Sequence, residues 1–402
     1  MSVQLEVDQE LQEKMSGWYR EFHQYPELSM QEFETTQKIA GELQKMGVNL
    51  IELGTSVGVV GVIDGNGPGP EVVLRADIDA LPIQEQSGLP FASQVQDVSH
   101  MCGHDFHTSA LLGAASLLLR NRNSWSGRVK LLFQPGEETT AGAKYMLEKG
   151  ALTGGEKAIF GLHNAPFLPA GSVGIRSGPF FAAADTLHIQ ITGRKGHAAL
   201  PHLTVDATVA ASAVVMGLQT AVSRAVNPLD PAVVTIGSLH SGQGHNVVSD
   251  LAEMWGTIRT FSQAVRNLLY ETVPRIVKQV AAGYGATAEV EILPQTPEVN
   301  NDPGLTASFR EAALMVVDPG RLVDVEPIMA AEDFAVYQQK LPGCYFLLGT
   351  GDPSQHVEAP WHDPKFRVNE RVMPLAASLL AASAIHHLSQ PSMAAVAPST
   401  GD

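Results

Sequence analysis

What most constrains this chain is a regular exchange of two hydrophobic periods. From Gly58 onward, apolar runs of strand length ("GVVGVIDG", "EVVLRADIDALPI", "RVKLLFQPGEE", "KAIFGLHNAP") alternate with helix-type runs ("HTSALLGAASLLLRN", "GAKYMLEKG"). A βαβα order of this kind predicts an α/β fold: a mostly parallel sheet with helices on both faces. Before it, Trp18, Phe22 and Tyr25 recur at helical spacing, Pro26 ends that helix, and a second amphipathic run covers Gln31 to Met46. After Gly178 the grammar changes. "DTLHIQITG", a helix over Val205 to Ala225, "AVVTIGSLHSG", "LAEMWGTIRTF", a helix over Ala264 to Ala282 and "ATAEVEIL" make a βαββαβ set. That order suits a small antiparallel sheet with two helices, inserted in the first domain. The α/β pattern resumes after "PQTPEVNNDPG". The expected division is residues 1–183 with 297–390, an insert over 184–296, and a small, polar, Pro-containing tail over 391–402 that reads as disordered.

Length and charge exclude several function classes. The 402 residues exceed one small core, and 44% apolar residues describe a packed globular chain. A net charge of −16 repels phosphate backbones and anionic lipid, so neither nucleic acid nor membrane is an expected partner. The most apolar helix-length window, Leu203 to Val222, is interrupted by Asp206 and reads as a buried helix. The acidic start has no secretory signature, and the two cysteines, Cys102 and Cys344, read as free thiols. Both point to the cytoplasm.

Polar chemistry gathers at predicted strand ends, where ligands bind in open α/β sheets. These ends deliver Asp77 and Asp79, Glu137 and Glu138, His163, and the late histidines His356 and His362. The stretch "HMCGHDFHTS" adds Cys102 and His104, which face the same way if the loop is extended. Thiolate, imidazole and carboxylate together are donors for zinc and neighbouring divalent metals. Two other readings compete: a Cys102 nucleophile with a histidine, or a buried thiol beside helix-capping histidines. At a metal rim, Glu137 and Glu138 would divide into a base and a ligand. Asp77 and Asp79 either orient ligand histidines or are buried carboxylates bonded to backbone amides.

Taken in order, "FHQYPELSMQE", "LRADIDALPI", "HMCGHDFHTSALLGAA", "LLFQPGEE", "GLHNAP", "GHAALPH", "GTIRTF" and "AEDFAVY" resemble bacterial hippurate hydrolases and plant auxin-conjugate (indole-acetyl-amino-acid) amidohydrolases. These lie within the aminoacylase–carboxypeptidase G superfamily of dinuclear metallopeptidases. The resemblance implies a zinc-peptidase-like catalytic domain with an inserted lid domain that dimerises. It implies two divalent ions (zinc, manganese, nickel or cobalt) held by a bridging Cys102 with His104, Glu138, His163 and His362, and Glu137 as general base. His362 is preferred to His356 because "WHDPKF" is similar to a late family segment, although Asp363 departs from it, as Phe106 departs elsewhere. Asp105 and His107 become supporting or helix-start residues, with His100 outside the site. In the lid, Asn246 and Arg259 match a pair that grips a substrate carboxylate. A lid histidine, His197 by preference over His202, assists the oxyanion. Apart from the resemblance, Gly349 and Gly351 in "LLGTGD" either let backbone amides approach the substrate or form a plain turn. The implied activity is metal-dependent hydrolysis of N-acyl amino acids. Action on short peptides, a metal-free cysteine hydrolase and a non-catalytic binder are the alternatives.

Overall fold

The computed structural model describes residues 3–355 and 357–390. His356 and the tail over 391–402 lie outside the described residues. The chain packs as two compact units. One runs to Gly178 and adds Asn300–Glu326 and the chain from Val336; the other is Pro179–Val299 with Pro327–Ala335. Pro327–Ala335 were expected in the first unit. They join the second because the Ala182 amide lies within hydrogen-bonding reach of both Ile328 O and Ala330 O, and Phe181 bridges to Ile328.

The first unit is built on an eight-stranded sheet. By first residue its strands run Asn49, Val59, Arg128, Glu71, Ala158, Gly343, Val173 and Leu322. The four central strands, Arg128–Gln134, Glu71–Asp77, Ala158–Pro169 and Gly343–Gly351, are mutually parallel. They are buried at successive positions over most of their length, as strands covered on both faces must be. Antiparallel pairs enter only towards the edges. Helix His104–Arg120 packs against helix Met373–Ser389. The latter belongs to the only stretch, among the described residues, that is long and apolar enough to cross a membrane. That stretch, Glu370–Ser389, is 67% buried. Helix Gln9–Gln24 is capped by Asp8, which accepts from Leu11 N at 2.9 Å, and it buries Leu11, Met15, Trp18 and Phe22. Tyr25 falls outside that stripe: it is the residue after the helix, 54% exposed, because Pro26 prevents another turn.

The second unit has the expected βαββαβ order. Its strands Ala232–Ser241, Leu251–Thr260, Ala183–Thr192 and Thr287–Thr296 form an all-antiparallel sheet. Leu187, Ile189, Ile191, Met254 and Ile258 bury one face against helices Ala207–Thr220 and Gln263–Gly283. The first of these stops at Thr220, and Ala221–Ala225 form a wider π turn, so the regular helix is shorter than its apolar pattern.

Candidate metal centre

The first unit brings together all five ligand-type side chains singled out in the sequence. The donor atoms of Cys102, His104 and His163 lie within 4.8 Å of one another, and so do those of Cys102, Glu138 and His362. Cys102 is thus common to two donor sets. His104, Glu137 and Glu138 form a third group of the same tightness. Cys102 Sγ is 3.5 Å from His163 Nε2, and Glu138 Oε1 is 3.3 Å from His362 Nε2 and 3.9 Å from His104 Nε2.

The backbone reaches this arrangement differently from the sequence reading. Cys102 and His104 are not on an extended loop. Gly103 sits at φ +85° and His104 opens a helix, so a left-handed turn aims both side chains. A Cβ at Gly103 would lie 2.4 Å from Asn164 Nδ2. His163 is not at a strand end either, because Ala158–Pro169 continues beyond it alongside Gly343–Gly351. His362 has φ +66°, an uncommon conformation for a side chain with a Cβ, held by its N–H donating to Met101 O at 2.8 Å.

Carboxylates behind the donors decide which ring nitrogen faces inward. His104 Nδ1 lies 3.0 Å from Asp79 O and 3.1 Å from Asp79 Oδ1, which places the proton there and turns Nε2 into the cluster. Asp79 Oδ2 also accepts from Ser29 Oγ at 2.6 Å and Glu138 N at 3.0 Å, so one carboxylate ties two donor-bearing segments. His163 Nδ1 donates to Asn164 O at 2.8 Å, leaving Nε2 towards Cys102. His107 packs on the His104 and His163 rings with both of its nitrogens engaged: its Nδ1 meets Asp77 Oδ1 at 2.6 Å, and its Nε2 accepts from Asn164 N at 2.9 Å. Asn164 Nδ2 in turn donates to Cys102 O at 2.5 Å. Asp77 also receives Arg75 Nη1 at 2.7 Å.

The electrostatics ask for added positive charge. His104 Nε2 and Glu138 Oε1 are buried and make no hydrogen bond among the described residues, although His362 Nε2 approaches Glu138 Oε1 to 3.3 Å. Burial opposes charge on His104, but Asp77 and Asp79 outweigh it and raise its pKa well above the ordinary imidazole value. Burial and the charge of Glu138 push the Cys102 thiol up. Burial, with His107 beside it, holds His163 neutral with a depressed pKa, the form in which imidazole binds metal. These two buried atoms, converging with the Cys102 thiol and the other imidazoles, fit a divalent metal of intermediate softness.

The sequence profile of peptidase family M20/M25/M40 matches residues 73–386. The chain belongs to that family. An N-acetylcysteine deacetylase of Bacillus subtilis strain 168 is 41% identical over 380 residues, covering 94% of this chain and 98% of that one. An IAA-amino acid hydrolase of Arabidopsis thaliana is 38% identical over 375 residues, covering 92% and 84%. Among solved structures, a dinuclear metal-binding M20 peptidase from Bacillus subtilis superposes with TM-score 0.84 at 39% identity, covering 95% of this chain and 99% of that one. This M20 chain therefore shares its fold and near-full length with a protein whose centre is dinuclear.

The remaining site residues of this M20 chain fall in different settings. In the second unit, His197 pairs with Val247 in a two-stranded ladder and Ala198 N donates to Asn246 O, so His197 and Asn246 are neighbours. His202 lies exposed in the turn Pro201–Leu203. Arg259 is braced by Thr257 Oγ1 and by Ile258 O, and no carboxylate stands within ion-pair distance of it among the described residues. In the first unit, Gly349 is not free to offer its amide. Its N–H donates to Ser172 O at 2.7 Å, and a Cβ there would lie 2.1 Å from Pro169 O. Gly351 is likewise close-packed, a Cβ falling 2.2 Å from Pro166 O. Both are glycine because two strands crowd together. Asp105 turns away to His23 Nδ1 at 2.6 Å, whose Nε2 meets Glu85 Oε1 at 3.1 Å. Sequence reasoning missed Asn164, His23, Ser29 and Trp361, whose ring packs edge-on to His163 at 4.7 Å. "GLHNAP" and "FHQYPELS" contained the signal, polar residues inside otherwise apolar or turn-forming runs.

Proposed function

We propose that this chain is a metal-dependent amidohydrolase that cleaves the amide bond of N-acyl amino acids. The observation that carries the reading is the pair of orphaned buried atoms, His104 Nε2 and Glu138 Oε1, converging with Cys102, His163 and His362. Cys102, shared between two donor sets, would bridge two ions, with His104, Glu138, His163 and His362 completing the ligands. Two divalent ions there would polarise the amide carbonyl and make water a nucleophile at neutral pH. Glu137, buried beside His104 and Glu138, takes the proton of the attacking water and returns it to the leaving amine. Asp79 keeps His104 in the required tautomer, the Asn164 backbone oxygen does so for His163, and Asp77 fixes the supporting His107. Arg259, half-buried and with no carboxylate in ion-pair distance among the described residues, forks the substrate carboxylate, with Asn246 as a second donor. His197 is the donor for the developing oxyanion. An acetyl or aromatic acyl group on the amino acid fits the named activities of both relatives, and zinc, manganese, nickel and cobalt all suit the mixed donors. Exposed Met216, Val209 and Leu229 on the second unit support self-association there.

The test is chelation with refilling, alongside Glu137→Gln. EDTA should abolish hydrolysis of N-acetyl and N-benzoyl amino acids, and added metal should restore it. Glu137→Gln should lower kcat by about 10²- to 10⁴-fold while still binding metal. Full activity in EDTA would favour a Cys102–His163 hydrolase instead, and wild-type turnover by Glu137→Gln would remove the base.

A further inference from the structure

The segment Pro26–Glu32 takes no part in the chemistry above, yet it is tied to the centre's supports. Ala80 N donates to Glu27 O at 2.8 Å, Leu28 bridges to Ala80, and Ser29 Oγ donates to Asp79. Its last residue, Glu32, is fully buried. Glu32 Oε1 accepts from Met30 N at 2.9 Å and from Gly136 N at 2.8 Å, while Oε2 is buried without a hydrogen-bond partner among the described residues. No Lys or Arg stands within ion-pair distance of it among the described residues. An unpaired carboxyl group is an expensive thing to bury, and an apolar side chain would fill the space at lower cost. Burial and then the charge of Asp79 raise its pKa to about 7, so it can be kept neutral, but its hydrogen-bonding role is the same in either form.

That role is to hold one peptide. Gly136 immediately precedes Glu137 and Glu138, at φ +63°, and a Cβ on it would lie 2.6 Å from Met30 Sδ. Met30 itself has φ +64°. The turn is then closed from the other side by Gly142 N and Thr139 Oγ1 donating to Gly136 O, at 3.0 and 3.2 Å. Rotation of the Gly136 peptide would swing Glu137 and Glu138 together, since both leave the chain just after it. We infer that Glu32 is a positioning residue whose Oε1, by accepting from Gly136 N, sets the direction in which Glu137 and Glu138 enter the centre. The inference rests on the metallohydrolase reading for its catalytic consequence.

The test uses Glu32→Gln, Glu32→Asp and Glu32→Ala in the full chain. Gln keeps an acceptor at the same reach. Asp keeps a carboxylate but is one methylene too short. Asp and Ala should lower kcat about tenfold or more with KM within about threefold, and weaken cobalt(II) binding to the metal-stripped protein about tenfold. Gln should stay within about threefold of wild type in each. Hydrogen exchange at the Gly136 amide should quicken in Asp and Ala but not in Gln. Folded Asp and Ala variants with wild-type kcat and cobalt affinity would overturn the proposal. So would a Gln variant as damaged as Ala, because charge and not reach would then be what matters. If Ala fails to fold, the Asp–Gln contrast decides; if Asp fails as well, the residue is a folding determinant and the proposal is wrong. If the wild type takes up no cobalt, the metal reading fails separately, and Gly136 exchange still judges the tether.

Discussion

Replacing Asp79 with Asn tests whether a carboxylate behind the donors sets the state of the centre. Wild-type Asp79 accepts from three sides: His104 Nδ1 on Oδ1, and Ser29 Oγ and Glu138 N on Oδ2. Asn offers one acceptor oxygen and one NH₂ group. If the NH₂ group takes the Oδ2 position, it faces Glu138 N–H, a donor that cannot turn round, although Ser29 Oγ can rotate to accept. If it takes the Oδ1 position, it faces His104 Nδ1–H. The first pose orphans the Glu138 N–H, at a cost of about 1–3 kcal/mol; in the second, His104 Nδ1–H keeps the backbone oxygen of residue 79 at 3.0 Å but is crowded by an opposing N–H. Either pose therefore disturbs a ligand: the first loosens the Glu138 segment, and the second weakens the hold on the His104 ring. We therefore expect metal affinity to fall about 10- to 100-fold, the range for loss of a supporting partner, with folding stability lower by about 1–3 kcal/mol. Competition of the metal-stripped protein against a chromophoric chelator measures the first, and urea unfolding without metal measures the second. An Asp79→Asn protein that binds metal as tightly as wild type, at unchanged stability, would refute the supporting role of the Asp79 carboxylate.

Other outcomes follow from the same structure. Burial alone would strip the proton from His23, but hydrogen bonds to Asp105 and Glu85 outweigh it and hold its pKa at about 10. A pKa raised on folding stabilises fully below about 6.5 and is lost as pH climbs through about 10. Urea midpoints should thus drop more between pH 7 and 10 in wild type than in His23→Asn, and parallel profiles would show that His23 is not the charged group. Gly349→Ala puts a Cβ 2.1 Å from Pro169 O, so two strands must part; we expect a loss of about 1–3 kcal/mol in thermal or urea unfolding, and an unchanged midpoint would contradict the packing argument. Arg259→Met should raise KM for N-acyl amino acids far more than for their amides, which lack the carboxylate. Equal effects on both would take substrate recognition away from Arg259.

The parts of the fold legible in sequence were those set by local pattern. Runs such as "EVVLRADI" and "KLLFQ" are apolar at consecutive positions because both faces of the central strands are covered, and that distinguishes them from the alternating strands of the second unit. Boundaries set by non-local pairing were not legible. His163 reads as a strand end because a polar pair, His163-Asn164, interrupts an apolar run, yet pairing with Gly343–Gly351 carries the strand on to Pro169. Pro327–Ala335 look continuous with the first unit and are drawn to the second by backbone bonds from Ala182. Gly349 looked like an opening for a ligand, and only the neighbouring strand shows that the space is taken.

By itself the sequence determined the chemistry available: the Cys102 thiol, the imidazoles and the paired carboxylates, each at a polar break in a helix or strand pattern. Local propensity suffices for that, because helix and strand periods are written in neighbouring residues. The tertiary structure decided how those groups face one another. A left-handed Gly103, a left-handed His362, the carboxylate of Asp79 and the backbone oxygen of Asn164 aim the donors, and the arrangement depends on partners far away in the chain. Whether a histidine presents a lone pair or a proton is a property of what lies behind it, and only folding brings that group into place.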